Sequence, residues 1–179
     1  MSQTEAAATE PTPDGPYALG RSYGQLPIPP VPERCVDLPA GPVIYMVESR
    51  DLTEDLEQFD GFGGTVHVLD ASDRTEYLRF DCFENIPHYH YIHPAEGSNT
   101  LVRIDDVALG DPSEWVLSRL RDRLPEMLDY AGATALAAAV RADRVTAVNA
   151  VDELSRLLRK ANERASEHRV SGASLAPAP

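Results

Sequence analysis

The middle of the chain alternates apolar and polar residues with the period of two that is typical of half-buried β-strands. Five stretches show this alternation or a short β-branched apolar run: 42–48, 64–70, 76–83, 88–93 and 99–105. Polar, turn-like residues fill the links at 71–75 and 84–87. The pattern therefore predicts a four- to five-stranded antiparallel meander over about residues 42–106.

The lengths of the two links predict which residues lie opposite each other. The first link predicts the pairs Asp70 with Glu76, Val68 with Leu78, and Val66 with Phe80. The second, taken as a four-residue hairpin loop, predicts Phe83 with His88, Asp81 with His90, and Phe80 with Tyr91. Directly opposed residues share a face of the sheet. One face is then apolar, and the other gathers five polar side chains: His67, Arg79, Asp81, His88 and His90.

Beyond the predicted sheet, apolar residues recur every three or four positions, as in an amphipathic helix. Asp111 and Pro112 predict a helix start, because an acidic cap is followed by proline at the first helical position. Pro125 lies inside the next part of the pattern and should break it. The longest apolar stripe runs over about 143–167. Strands followed by helices, the latter over about 111–168, predict an α+β domain whose antiparallel sheet packs on C-terminal helices.

The two ends of the chain differ in composition from its middle. Residues 1–34 are rich in proline, alanine and glycine, which predicts a flexible Pro-rich N-terminal arm. Residues 171–179 predict a flexible tail, and residues 35–170 a single α+β domain. Within that domain, apolar residues at a spacing of four and three predict a short helix over 51–59.

Composition narrows the range of partners and locations. The 179-residue chain carries a net charge of −13, which argues against nucleic acid or an anionic membrane as a partner. It has no apolar run near the roughly 18–20 residues of a membrane helix, and its first residues lack the features of a signal peptide. Two cysteines are too few for a disulfide framework, so a cytoplasmic location is expected.

The polar face of the predicted sheet contains one candidate metal site. His88 and His90 alternate on one strand, so their imidazoles share a face. Asp81 supplies a carboxylate from the neighbouring strand, and His67 lies one strand further on. Two histidines and a carboxylate that leave coordination positions open suit Fe(II), Mn(II) or Zn(II). These four residues are the predicted metal ligands.

The same residues allow other interpretations. The simplest is a solvent-exposed sheet face on which Arg79 and Asp81 pair with the histidines at little net energy. A second is a metal-free catalytic site, in which His88 or His90 acts as acid or base and Arg79 holds an anionic substrate. Cys82 lies near the histidines, as in a Cys–His nucleophile pair, but its alternation points it to the apolar face. A buried structural thiol is therefore expected there.

Two hypotheses for function follow from these observations. The chain shows no complete catalytic motif, and it has a long amphipathic helix and an acidic segment at 48–60. The leading hypothesis is a small soluble accessory protein that binds a protein partner, or forms a homo-oligomer, through the C-terminal helix or the acidic segment. The alternative is a metal-dependent enzyme that acts on a small molecule. Whether the protein is an enzyme stays open at this point.

Two motifs suggest relatives. The motif F-D-x-F at 80–83 and the motif P-H-Y-H-Y at 87–91 resemble the core of small, uncharacterised bacterial proteins that are grouped only as a domain of unknown function. The resemblance covers about Tyr45–Asp105 and implies no activity. The pair His88 and His90, with Glu96 further on, also resembles part of the first metal motif of cupins. There, however, the gap to the glutamate is one residue too long, the second motif lacks its histidine, and the strands are too few for a double-sheet barrel.

Overall fold

The computed structural model describes residues 19–52 and 61–171. Within them, a single antiparallel sheet carries helices on one face. Its strands are β1 (Arg21–Tyr23), β2 (Cys35–Ala40), β3 (Val43–Asp51), β4 (Phe62–Asp70), β5 (Glu76–Phe83), β6 (His88–His93) and β7 (Ser98–Arg103). Their order across the sheet is β1-β7-β6-β5-β4-β3-β2. Strands β2 to β7 thus form a continuous meander, and β1 pairs with β7 at the far edge.

The α+β class and the antiparallel meander are confirmed, but the predicted number of strands was too low. The sheet has seven strands among the described residues, and the two that the sequence pattern missed are β1 and β2. Strand β1 has only three residues, too few to show a period of two. Strand β2 contains Pro39, which sequence rules disfavour in a strand but which an edge strand tolerates.

Strand pairing follows the predicted faces with two local differences. Val68 lies opposite Leu78 as predicted, but a bulge at the next residue places Leu69 rather than Asp70 opposite Glu76. Between β5 and β6 the predicted register is wrong by two residues, because the strands separate earlier and the connection is longer than a four-residue loop. A shift of two keeps every side chain on its predicted face, since strand alternation also has a period of two.

Six helices follow the sheet in the part of the chain described up to residue 171. They are α1 (Asp106–Leu109), α2 (Pro112–Asp122), α3 (Leu124–Tyr130), α4 (Thr134–Ala142), α5 (Arg144–Asn149) and α6 (Val151–Ser171). The side chain of Asp111 caps α2 by accepting the backbone N–H of Glu114 at 2.9 Å, as its sequence predicts. Pro125 lies in the first turn of α3, where its missing N–H is tolerated, so the break at this proline is also confirmed.

The core lies between the apolar face of the sheet and these helices. Helix α6 packs along β3 and β4 and buries its apolar stripe, which consists of Val151, Leu154, Leu158, Ala161 and Ala165. Gly64 on β4 permits this close approach, because a Cβ there would lie 2.6 Å from Leu158 Cδ1. The predicted stripe over 143–167 is divided between α5 and α6, and Val145 at its start is 70% exposed. The stripe that motivated a partner surface on the C-terminal helix is therefore part of the core.

Some predictions fall partly outside the described residues. The helix predicted over 51–59 is one of them, and Asp51 itself ends β3. The predicted tail over 171–179 is another, since only its first residue is described, at the end of α6. Of the predicted N-terminal arm, residues 19–34 are described, and they lie along the sheet. No helix in the described ranges is both long and apolar enough to cross a membrane.

Candidate metal centre

The polar face of the sheet is buried, not solvent-exposed as the simplest interpretation of its sequence held. His67 is fully buried, and the other four predicted residues of this face are between 2% and 8% exposed. A segment of the N-terminal arm, residues 25–31, is hydrogen-bonded across this face, and we call it the strap. Among its contacts, the Gln25 carbonyl accepts from Asn99 Nδ2 at 2.6 Å, and the Ile28 carbonyl accepts from Arg79 Nη1 at 2.6 Å.

Three of the predicted ligands come together on this buried face. Asp81 on β5 lies opposite His88 on β6, and His90 follows two residues later on the same face. Asp81 Oδ2 is 3.3 Å from His88 Nε2 and 3.2 Å from His90 Nε2. One donor atom from each residue lies within 4.8 Å of the other two. We refer to Asp81, His88 and His90 as the triad.

The second nitrogen of each imidazole is engaged elsewhere. His88 Nδ1 is 2.7 Å from the backbone carbonyl oxygen of Ile86, which can only accept a hydrogen bond. His90 Nδ1 is 2.8 Å from Asn99 Oδ1, which also accepts. Both Nδ1 atoms must therefore carry hydrogen, so in the neutral imidazoles the lone pairs are on the Nε2 atoms that face Asp81. Hydrogen bonds of this kind fix the orientation and tautomer of metal-binding histidines.

The carboxylate of Asp81 is oriented in the same way. Its Oδ1 accepts a hydrogen bond from Thr65 Oγ1 at 2.6 Å, which leaves Oδ2 to face the two histidines. Burial alone would raise the pKa of Asp81, but its interactions with His88 and His90 outweigh burial and hold the pKa well below the usual range. Burial likewise opposes the charge on His88, while Asp81 raises the pKa of that histidine. An ionised oxygen between two nitrogens calls for positive charge at this point, from protons or from a bound cation.

His67, the fourth predicted ligand, is not brought to the triad. Its Nδ1 lies 2.6 Å from Glu76 Oε1, and its Nε2 lies 3.2 Å from Glu48 Oε2. Both ring nitrogens thus face carboxylates, which only accept, so both must donate and the ring is an imidazolium. Burial opposes this charge, but the two glutamates outweigh it and raise the pKa of His67. His67 therefore belongs to a buried ion-pair network.

Arg79, the candidate anion-binding residue, belongs to the same network. Its Nε and Nη2 each donate to Glu76 at 2.8 Å, and its Nη1 donates to the strap carbonyl of Ile28. Arg50 joins the network through Glu48 Oε2 at 3.2 Å. The guanidinium of Arg79 is thus committed to structural partners on all three nitrogens. Hereafter the charge network means Glu48, Arg50, His67, Glu76 and Arg79.

The strands that carry this site lie within a segment that matches a known protein family. A domain of unknown function, DUF7700, matches residues 37–158, about two thirds of the chain. The chain belongs to the DUF7700 family. No curated protein and no solved structure matches it. The match confirms the resemblance to an uncharacterised family that its two motifs suggested, and it gives no support to the cupin likeness.

The matched part of the DUF7700 domain contains the triad and the charge network but not the strap. A cavity of about 590 Å³ lies at the end of the strap and touches the charge network through Glu76, with Pro30, Cys35 and Arg74 also in its wall. Arg74 is paired there with Asp37 at 2.6 Å, so its charge is already compensated. None of the residues that line this cavity belongs to the triad, so the cavity and the triad are separate features of the domain.

Sequence patterns missed several residues of the DUF7700 site. Thr65 and Asn99, which orient the triad, are single polar residues within strands and carry no signal of their own. Glu48 and Glu76 stand at the ends of predicted strands, where acidic residues usually face water. Cys82 was predicted correctly, since it lies in the apolar core and burial raises the pKa of its thiol.

Proposed function

We propose that this DUF7700 domain binds a divalent transition-metal ion through Asp81, His88 and His90. The observation that carries the proposal is the convergence of two Nε2 atoms on one carboxylate oxygen, while both Nδ1 atoms donate to fixed acceptors. A neutral imidazole in this tautomer directs a lone pair, not a proton, at the carboxylate. The lone pairs and the negative carboxylate oxygen repel one another. A cation bound between the three atoms replaces this repulsion with attraction to all three.

The spacing of the donor atoms fits such an ion. Two ligands that each lie about 2.0–2.1 Å from a tetrahedral ion are separated by roughly 3.3–3.4 Å. The Nε2 to Oδ2 separations of 3.2 and 3.3 Å agree with this value. A ligand set of two histidines and one carboxylate suits zinc, iron(II) or manganese(II), and the sequence alone led to the same three metals.

A site with three protein ligands among the described residues favours a metal-dependent enzyme that acts on a small molecule over an accessory protein. Closed structural zinc sites use four protein ligands, whereas catalytic sites keep a position for water or substrate. The ion would supply a Lewis acid at that position. One of the grounds for the accessory hypothesis is lost, because the apolar stripe of α6 packs in the core.

Metal titration of the tag-free full-length chain tests this proposal. Purified protein is stripped with chelator and titrated with Co(II), whose ligand-field bands report the ligand set, and then with Zn(II), Mn(II) and anaerobic Fe(II). Elemental analysis of the reloaded protein should give about one equivalent of the preferred metal. Asp81→Asn and a His88→Gln/His90→Gln double variant preserve side-chain size while removing ligands. Each should weaken binding by more than about 100-fold, because loss of a supporting residue alone costs 10–100-fold.

His93→Gln is the matched control, since it removes a histidine from the same strand that is not part of the triad. It should bind metal as the wild type does, and circular dichroism should show all variants folded. If no ion binds to the wild type, or if the triad variants bind metal normally, the proposal is wrong. In the first case the triad is held by protons on its imidazoles instead.

A further inference from the structure

We propose that the strap gates metal binding at the triad and that Asn99 transmits the position of the strap to His90. The inference rests on the proposed function, because a gate matters only where an ion enters and leaves. It goes beyond that function in assigning a role to residues 25–31 and in naming Asn99 as a positioning residue.

The strap is attached by polar groups rather than by apolar packing. None of its seven residues is buried, and Ile28 at its centre is 37% exposed. Its backbone instead meets buried charges of the sheet: the Ile28 carbonyl accepts from Arg79 Nη1 at 2.6 Å and from Arg50 Nη2 at 2.8 Å, and Val31 N–H donates to Glu48 Oε1 at 2.9 Å. A segment held by a few hydrogen bonds and little buried apolar area can open without unfolding the domain.

One side chain joins the strap to the triad. Asn99 Nδ2 donates to the strap carbonyl of Gln25 at 2.6 Å, and Asn99 Oδ1 accepts from His90 Nδ1 at 2.8 Å. The amide is planar, so the acceptor at Gln25 decides which of its two ends faces His90. With the strap in place, Oδ1 faces the ring, and Nε2 of the neutral histidine keeps its lone pair toward Asp81.

Release of the strap removes the hydrogen bond that orients the side-chain amide of Asn99. Without the Gln25 carbonyl, the amide can rotate and present its NH₂ group to His90 Nδ1. That group can only donate, which favours the tautomer with hydrogen on Nε2, and this tautomer cannot bind an ion through Nε2. Strap opening thus disables one ligand of the site. By reciprocity, an ion in the triad favours the docked strap.

A strap loosened through its prolines tests the gate without touching the triad. Replacing Pro27, Pro29 and Pro30 with glycine keeps every strap carbonyl that accepts a hydrogen bond but makes the undocked strap more flexible. All three positions are partly or fully exposed. Pro42→Gly with Pro112→Gly is the control, because it introduces the same chemical change far from the strap.

Release of Co(II) or Zn(II) to an excess of chromogenic chelator is then followed by stopped flow on the full chain. The strap variant should release metal about ten- to a hundredfold faster than the wild type, as expected if each substitution shifts opening by a few fold. The control should release it at the wild-type rate. Asn99→Asp, which can accept from His90 but cannot donate to Gln25, should also release faster. Limited proteolysis near residues 25–31 should be slower with metal bound than without it.

The outcomes separate the two proposals. Wild-type protein that binds no ion overturns the proposed function, and the gate with it. Metal binding with equal release rates in wild type and strap variant, and equal proteolysis with and without metal, overturns the gate alone. Faster release in both the strap variant and the control also overturns it, because the effect would then reflect general loss of stability.

Discussion

Replacing Glu76 with glutamine is the most direct test of how the buried charge network stabilises the fold. Glu76 accepts two hydrogen bonds from Arg79, both at 2.8 Å, and faces His67 Nδ1 at 2.6 Å. Glutamine has nearly the same size but no charge. The substitution therefore leaves a buried guanidinium and a buried imidazolium with a neutral partner, while the packing around residue 76 is preserved.

The size of the effect follows from the ionisation of Glu76. Burial alone would raise its pKa, but hydrogen bonds from Arg79 and then from His67 outweigh burial and lower the pKa from 4.5 to about 2. At about 1.4 kcal/mol per pKa unit, the ionised side chain contributes roughly 3 kcal/mol to the free energy of unfolding at neutral pH. Because the pKa is lower in the folded state, this contribution is complete above about pH 5 and declines as the pH falls toward 2. By about pH 3.5, roughly 1.4 kcal/mol of it is lost.

Urea unfolding, followed by the fluorescence of Trp115, measures this difference at pH 7 and near pH 3.5. Glu76→Gln should be about 3 kcal/mol less stable than the wild type at pH 7, and the gap should narrow at the lower pH. Glu84→Gln is the matched control, since Glu84 is exposed, and it should change stability by less than about 0.5 kcal/mol. Equal stability of Glu76→Gln and wild type at pH 7, or a gap that does not change with pH, would refute this account of the network.

Three further predictions concern the network, the core and the thiols. Burial opposes the charge on His67, but the two flanking carboxylates raise its pKa. The contribution of His67 to the free energy of unfolding is therefore complete below about pH 6.5 and is lost as the pH rises through the pKa of His67 in the folded state. In urea unfolding, the stability gap between wild type and His67→Gln should therefore shrink above pH 6.5, and a constant gap would contradict this. Gly64→Ala should lower the free energy of unfolding by about 1–3 kcal/mol, because the new methyl group would lie 2.6 Å from Leu158 Cδ1. In a Leu158→Ala background the same substitution should cost less. Strictly additive losses of stability in the double variant would argue against the contact. Burial raises the pKa of Cys35 to about 12 and also raises that of Cys82, so both thiols should react with an aromatic disulfide reagent at pH 8 far more slowly in folded than in urea-unfolded protein, and equal rates would count against this.

The grouping of the three triad residues was predictable because side-chain alternation does not depend on exact pairing. The register between β5 and β6 was wrong by two residues, yet Asp81, His88 and His90 still share a face. His67 also shares that face, but alternation gives no information about distance along it. In the structure, His67 on β4 lies between Glu48 on β3 and Glu76 on β5, and only the three-dimensional pairing of strands reveals those neighbours.

The burial of the polar face had no signal in the sequence. The strap is a proline-rich segment without periodicity, and its hydrogen bonds to Arg79 and Asn99 connect residues 51 and 74 positions apart. A polar strand face with no visible cover is expected to be wet, because most charged side chains stay in water. On a buried face each charge needs a partner, and the ion pairs and oriented histidines follow from that need.

The sequence by itself determined the class of the fold, the faces of the central strands, the capped start of α2 and the break at Pro125. These features depend on local backbone preferences and on spacing along a few residues, which the chain encodes directly. Only the tertiary structure decided that the polar face is buried and that the apolar stripe of α6 packs in the core. It also decided that Asp81 faces two histidines at once. Those outcomes depend on which distant segments meet, because burial and electrostatic pairing are properties of the assembled surfaces.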